Sequence, residues 1–113
     1  MASTPAQQQQ ASALAPADNV PSASTLIHAS RIAMKDDYPI QLDYYLPSCV
    51  DKVFIGEDQR TKESFLIKSP DEYTSNIFKV FRNGTEFIVL TENSLYIISA
   101  NTKKKAIPAD YLQ

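Results

Sequence analysis

The sequence has few of the residues that usually carry chemistry. Its 113 residues include one cysteine, Cys49, one histidine, His28, and two glycines, Gly56 and Gly84. A single cysteine excludes an intrachain disulfide, and one cysteine with one histidine is too small a set for a Cys/His metal site. Two isolated glycines cannot build a glycine-rich phosphate-binding loop. We therefore expect no metal centre and no bound cofactor.

Catalytic groups at a recognisable spacing are also missing. A catalytic site needs a nucleophile or an acid–base group with a partner. His28 falls in a predicted helix with Arg31 three residues later and is interpreted as a surface or boundary residue. Cys49 is interpreted as a small buried or loop residue. Several carboxylates stand near predicted turns without the spacing of a calcium loop: Asp36, Asp37, Asp43, Glu57 and Asp58. We predict that the protein is not an enzyme and has no catalytic residues.

Net charge and the lack of targeting signals exclude further classes of protein. The formal net charge is -2 and the isoelectric point is about 5.3, so there is no basic surplus to hold a polyanion. Residues 1–19 contain no lysine or arginine and no continuous apolar run, so they lack the features of a secretory signal or transit peptide. No window reaches the length of a membrane span. We expect an intracellular protein without a membrane span, in which Cys49 is reduced.

The first 23 residues differ in composition from the rest. They are mainly alanine, glutamine, serine and proline, with Asp18 as the only charged side chain. Such a composition cannot offset the entropy lost on ordering the backbone. We predict a disordered N-terminal arm over residues 1–23 and a single small β-rich domain over residues 24–112.

A short helix is predicted at the start of that domain. Apolar residues between Ser24 and Lys35 are spaced among polar ones, and Ser24 or Thr25 could cap the first turn. Tyr38 precedes a proline, which disfavours the helical conformation. The helix should therefore end between Lys35 and Asp37.

Three strands and one helical turn are predicted next. Apolar and polar residues alternate over Ile40–Leu46, which is typical of a half-buried strand. Lys52–Gly56 and Ser64–Lys68 are predicted to pair as a hairpin. Ser69 then begins a capping-box pattern that predicts a helical turn over Pro70–Ser75, with phosphorylation of Ser69 as an alternative use of the same residues.

The last third predicts a three-stranded meander. Its strands are Ile77–Arg82, Glu86–Thr91 and Leu95–Ala100, and the dipeptide Asn83-Gly84 favours a type I′ hairpin turn between the first two. The fold class is thus mainly β: a small antiparallel sheet or partly open barrel of about six strands with a C-terminal meander. One short N-terminal helix and the arm complete it.

The meander is apolar on both faces. In Phe87–Leu90 and Leu95–Ile98 both sets of alternating positions are apolar, so both faces of the sheet need cover. Closure into a small barrel would supply the cover, and so would another protein. The candidate interaction surface consists of apolar residues of this meander: Phe78, Val80, Phe87, Val89, Leu95, Ile97 and Tyr96.

These features favour a non-catalytic structural or protein-interaction module, a small subunit of a larger particle or capsid-like assembly. Self-association or a protein partner is expected. One alternative is an adaptor or regulatory subunit that binds one protein. Another is a small-barrel binder of single-stranded nucleic acid, which would use Lys103–Lys105, Lys79, Arg82 and Tyr45. The acidic net charge disfavours this last alternative.

Overall fold

The computed structural model describes residues 20–113, which form two helices and eight strands in two four-stranded sheets. The elements in chain order are α1 (Ala23–Asp36), β1 (Ile40–Gln41), α2 (Tyr45–Cys49), β2 (Phe54–Asp58), β3 (Ser64–Ser69), β4 (Glu72–Tyr73), β5 (Ile77–Asn83), β6 (Glu86–Thr91), β7 (Leu95–Ser99) and β8 (Lys103–Ile107). Sheet one has the order β1-β7-β6-β5, and sheet two has the order β4-β3-β2-β8. The β1–β7 and β2–β8 pairs are parallel and the others antiparallel.

The predicted fold class is confirmed: the chain is mainly β, with a C-terminal meander and one N-terminal helix of several turns. The sheets do not close into a barrel. They stack instead as layers, so that sheet one lies between α1 and sheet two. The structure has two strands more than the predicted six, because neither β4, with only two residues, nor the lysine-rich β8 gave a clear strand pattern in the sequence.

Strands β6 and β7 are covered on both faces, as their sequences predict. Ile88, Leu90, Leu95 and Ile97 pack with Ala29 of α1 on one face. Val89 and Ile98 pack on the other face with residues of sheet two, including Ile55 and Leu66. All eight of these strand residues are buried. The two clusters are the core of the protein.

The C-terminal tail covers the outer face of sheet two. The ring of Tyr111 meets the ring of Phe54 edge-on, with centroids 6.2 Å apart. The N–H of Gln113 donates to the carbonyl oxygen of Pro70 at 2.9 Å, and the hydroxyl of Tyr73 donates to the carbonyl oxygen of Gln113 at 2.7 Å. These contacts fix the end of the chain across the sheet.

Helix α1 begins earlier than predicted. Its N-cap is Ser22, whose hydroxyl oxygen accepts a hydrogen bond from the N–H of Thr25, so Ser24 and Thr25 lie inside the first turn. The end is as predicted, since Asp37 takes a left-handed conformation with φ of 59° directly after the helix. Ser22 and Ala23, the last two residues of the predicted arm, therefore belong to the helix and its cap, and residues 1–19 lie outside the described part of the chain.

The predicted strand over Ile40–Leu46 is a strand only at its first two residues. Tyr44 and Ser48 are buried at a spacing of four residues while Leu46 is exposed, so burial here follows the period of a helix rather than that of a strand. Pro47 lies in the first turn of α2, where its missing N–H costs no helical hydrogen bond. The last two residues of the predicted strand, Tyr45 and Leu46, therefore belong to a helix.

The predicted helical turn over Pro70–Ser75 does not form. Its first two residues make the turn between β3 and β4, and the hydroxyl of Ser69 donates to the carboxylate of Asp71 at 2.6 Å instead of capping a helix. Thr74 is buried against β3, where the N–H of Leu66 donates to its hydroxyl oxygen at 3.1 Å. The N–H of Thr74 donates back to the Leu66 carbonyl oxygen at 3.0 Å. Pairing with β3 outweighs the local capping pattern.

Both predicted hairpins form, and one has a different turn. β2 pairs with β3, and β5 pairs with β6 up to the Asn83–Glu86 pair. The two turn residues are thus Gly84 and Thr85, and of these Gly84 alone has a positive φ, of 62°. A positive φ at the first turn position only is the pattern of type II′ rather than the predicted type I′.

Gly56 on β2 is required by close packing on the outer face of sheet two. A Cβ atom there would overlap Cδ1 of the fully buried Ile67 and would lie 3.1 Å from Cγ2 of Ile107 and 3.2 Å from Cε2 of Phe54. Ile67 therefore has little room to move away.

We predict that Gly56→Ala lowers the free energy of unfolding by about 1–3 kcal/mol through overpacking. Ile67→Val removes the overlapped methyl group and should cost about 0.5–1.5 kcal/mol alone. The double variant should lose less than the sum of the two, measured by denaturant unfolding. Strict additivity would contradict the proposed packing at Gly56.

Candidate functional site

The most prominent surface feature is the outer margin of β5, here called the β5 edge. Each sheet has two outer strands, and the other three are short or blunted. β1 and β4 have two residues each. β8 begins with three consecutive lysines, a residue type that discourages pairing with another strand. β5 has seven residues, and it is the longest of the four edge strands in the described part of the chain.

The opposite edge of sheet one is closed by local structure. β1 pairs with the first half of β7. Beyond it, the hydroxyl oxygen of Ser48 in α2 accepts a hydrogen bond from the N–H of Ser99 at 2.8 Å, in the position where a continued β1 would have supplied an acceptor. Sheet one therefore has one closed edge and one open edge.

The register of the β5–β6 hairpin defines which backbone groups face outward. In a two-residue hairpin the residues that flank the turn form a hydrogen-bonded pair, and such pairs alternate with non-hydrogen-bonded ones. Asn83, Phe81 and Lys79 therefore bond to β6. Val80 and Arg82 direct their N–H and carbonyl groups to the β5 edge, where they can bond to an added strand.

Side chains on both faces of β5 are exposed and partly apolar. The exposed fractions are 55% for Phe78, 42% for Val80 and 36% for Phe81. Lys79 and Arg82 alternate with them, and both cations lie over rings. The Lys79 Nζ atom is 5.2 Å from the centroid of Phe81, and the Arg82 guanidinium carbon is 6.0 Å from that of Phe87.

β5 is fixed at both ends although its middle is open. At its C-terminal end, the Asn83 amide donates to the hydroxyl oxygen of Thr25 in α1 at 3.0 Å. Just before its N-terminal end, the side-chain oxygen of Asn76 accepts from the N–H of Ser64, the first residue of β3, at 3.2 Å. A strand held in this way loses little conformational entropy when another strand pairs with it.

A groove of about 310 Å³ lies between α1 and β5. It is lined by residues of α1, β5 and β6: His28, Ile32, Phe81, Arg82, Asn83 and Ile88. Its walls are largely apolar, and its volume is at the lower end of the range found for ligand pockets.

A buried carboxylate joins α1, α2 and the base of the β5–β6 hairpin. Glu86 is 4% exposed, and its oxygens accept hydrogen bonds from the N–H of Ser22 at 3.1–3.2 Å and from the hydroxyl of Tyr45 at 2.8 Å. Burial alone raises the pKa of Glu86, but hydrogen bonds from the surrounding hydroxyl groups outweigh it and lower the pKa. Burial and the bond to this carboxylate raise the pKa of Tyr45. The network orients α1 against the hairpin.

The structure divides the seven residues of the predicted interaction surface. Val89, Leu95 and Ile97 are fully buried and belong to the core, because sheet two and α1 cover both faces of β6 and β7. Phe87 and Tyr96 are half-buried at the margin of the cluster that faces sheet two. Phe78 and Val80 are exposed. The two exposed residues of the predicted interaction surface therefore both lie on β5.

Sequence analysis missed Phe81 and the groove. A signal was present, since β5 is the one strand of the meander with cations at two positions, and charged residues mark edge strands. Lys79 and Arg82 lie on β5, an edge strand of sheet one. Lys68 lies on the interior strand β3, where it forms an ion pair with Glu72 at 3.3 Å.

The residues considered for nucleic-acid binding do not come together. Lys103–Lys105 lie on β8 of sheet two, whereas Lys79 and Arg82 lie on β5 of sheet one. The Tyr45 hydroxyl is bonded to Glu86, and its half-buried ring packs against the core cluster that faces α1.

The residues considered for chemistry are dispersed. His28 and Cys49 are exposed on different helices. Within residues 20–113, no group of three or more histidine, cysteine, aspartate or glutamate side chains is placed to hold a metal ion. None of the helices in this range is both long and apolar enough to cross a membrane.

A second group of exposed apolar residues lies in α2 and on either side of it. Leu42, Leu46 and Val50 follow one another at intervals of four residues, and all three are exposed. Unlike β5, this group of residues is not on a strand edge with backbone N–H and carbonyl groups directed outward. It provides matched control positions for tests of the β5 edge.

Comparison with known proteins adds no assignment: no protein-family model, no curated protein and no solved structure matches the chain. Any functional conclusion therefore depends on the geometry of the molecule itself.

We predict that Glu86→Gln lowers the free energy of unfolding at neutral pH by about 1–3 kcal/mol, because hydrogen bonds to a buried charged acceptor are lost. The pKa of Glu86 is lower in the folded chain than in the unfolded one. Its contribution to stability is therefore present above the unfolded pKa and is lost as the pH falls through the folded pKa.

The acid side of the stability profile should accordingly be shallower for the variant than for the wild type, measured by denaturant unfolding at successive pH values. The control is Glu72→Gln, which removes an exposed carboxylate and should change stability little. Equal acid profiles for Glu86→Gln and the wild type would contradict this role of Glu86.

Proposed function

We propose that the chain is a non-catalytic protein-interaction module that joins a larger assembly by pairing β5 with a strand of another molecule. The observation that carries this proposal is the β5 edge itself, which is long and open and has exposed apolar side chains on both faces. An exposed edge of this kind is a template for strand addition, and natural proteins usually protect such edges.

Three further observations support strand addition. The outward N–H and carbonyl groups of Val80 and Arg82 supply the main-chain bonds. The exposed rings of Phe78 and Phe81 supply apolar contacts. Attachment of both ends of β5 keeps the strand in its paired geometry before a partner arrives.

The same strand has two features that limit open-ended aggregation of the protein through its edge. Pairing shifts irregularly between Ile77 and Lys79, so Phe78 lies in a bulge that interrupts the regular edge. Lys79 and Arg82 add charge to the edge. A bulged and charged edge disfavours indiscriminate pairing and permits pairing with a complementary strand.

The direct test is a pair of substitutions at Val80. Val80→Pro removes an N–H that points to the edge and leaves the bonds between β5 and β6 intact, since proline is tolerated on edge strands in that orientation. Val80→Ala removes more of the side chain but keeps the N–H. We predict that both variants fold, and that Val80→Pro binds the partner at least about tenfold more weakly than Val80→Ala.

The measurement is capture from an extract of the native source with each full-length variant immobilised, together with sedimentation of the free protein. Leu46→Ser is the control for loss of an exposed apolar side chain elsewhere. The expected result is at least one protein retained by Val80→Ala and Leu46→Ser and lost with Val80→Pro. Equal capture by all variants, or a wild type that captures nothing and sediments as a monomer, would refute the proposal.

A further inference from the structure

The margin of sheet one around β5 is basic in a protein whose net charge is negative. β5 carries Lys79 and Arg82 and no acidic residue. α1, which packs on the same sheet, carries His28, Arg31 and Lys35. None of these five side chains forms an ion pair with a residue of the described range, where the ion pairs are Lys68–Glu72 and Lys103–Asp51.

The carboxylates near this margin form no ion pair with its cations within residues 20–113. Glu86 is buried and its oxygens are bonded within the network described above. Asp36 and Asp37 adjoin Tyr38, whose ring lies 6.4 Å from that of Phe78, and Glu92 follows β6 beside Asn76. None of these three carboxylates forms an ion pair with Lys79 or Arg82. Lys79 is therefore available to an incoming chain. Arg82 donates from Nε to the carbonyl oxygen of Gly84 at 3.1 Å, and the other N–H groups of its guanidinium remain available.

The two cations define a spacing on that chain. Lys79 and Arg82 are three residues apart and pair with Leu90 and Phe87 without an intervening register shift, so they lie on opposite faces of sheet one. Opposite charges on directly facing residues of neighbouring strands stabilise the pair. An added strand should therefore carry carboxylates three residues apart, one on each face.

The groove between α1 and β5 adds an apolar requirement. It borders Phe81, which shares the helix-facing side of β5 with Lys79. An apolar side chain of the added strand, on the same side as its neighbour Phe81, is positioned to enter the groove. The residue of the added strand beside Phe81 should thus be apolar.

Resting on the proposed function, we infer that the natural occupant of the β5 edge is an extended acidic segment of another protein. It has an aspartate or glutamate opposite Lys79 and opposite Arg82, and apolar residues beside them. Two other occupants fit the charges less well. A second copy would bring four cations and no carboxylate into one two-stranded ribbon. The protein's own residues 1–19 contain a single charged residue, Asp18.

The test uses blocked synthetic peptides long enough to span β5 and rich in valine. The first has two glutamates three residues apart. The second has the same composition with the glutamates two residues apart, so that both carboxylates fall on one face. The third has lysines in place of the glutamates of the first. Binding to the full-length chain is measured by fluorescence anisotropy at low and high salt.

We expect the first peptide to bind about tenfold more tightly than the second or the third, because two favourable cross-strand pairs are lost in each. Salt should reduce this preference. The double variant K79E/R82E should reverse the order of the first and third peptides. K104E/K105E makes the same charge change on β8 and should leave the order unchanged.

The outcomes separate this inference from the proposed function. If all peptides bind equally and Val80→Pro abolishes binding, strand addition survives and the acidic preference is wrong. If the first peptide binds Val80→Pro as well as the wild type, both are wrong. Absence of binding by the first peptide at millimolar concentration overturns the inference alone, and so does a wild-type dimer that Val80→Pro dissociates.

Discussion

The arrangement of the molecule depends on two strands that have no polar face. β6 and β7 place Ile88, Leu90, Leu95 and Ile97 on one side of sheet one, with Val89 and Ile98 on the other. Neither side can be left to water, because each would expose a contiguous apolar surface. α1 covers the first side and sheet two covers the second. The carboxylate of Glu86 then holds the start of α1 and the ring of Tyr45 in place by hydrogen bonds.

Covering both faces leaves the edges as the remaining exposed margins of sheet one. The β7 side is closed by the short β1 and by the hydroxyl of Ser48. The β5 side is open, and it keeps its outward backbone groups, three apolar side chains and two cations. The proposed binding function is therefore located at the β5 edge, which neither α1 nor sheet two covers. Hydrogen bonds hold the same strand at both ends, so the unpaired edge of β5 belongs to a strand that is fixed in position.

The meander and α1 could be predicted because each has one dominant local pattern that tertiary packing reinforces. The Asn83-Gly84 hairpin was located correctly, although its turn residues shifted by one. Prediction failed at Ile40–Leu46, where alternation competed with a helical burial pattern anchored by Tyr44. It failed at Pro70–Ser75 because pairing of Thr74 with β3 outweighed a good capping sequence. The buried members of the predicted surface, such as Val89, could not be recognised, since alternation gives the faces of a strand and not its place in the sheet.

The central claim is that β5 presents open backbone groups at alternate residues. Amide hydrogen exchange at single-residue resolution tests it most directly. In the free protein we predict slow exchange at Phe81, whose N–H bonds to β6, and fast exchange at Val80 and Arg82. In a complex with a partner strand all three should be slow. Slow exchange at Val80 and Arg82 in the free protein, or no change there on binding, would contradict the account.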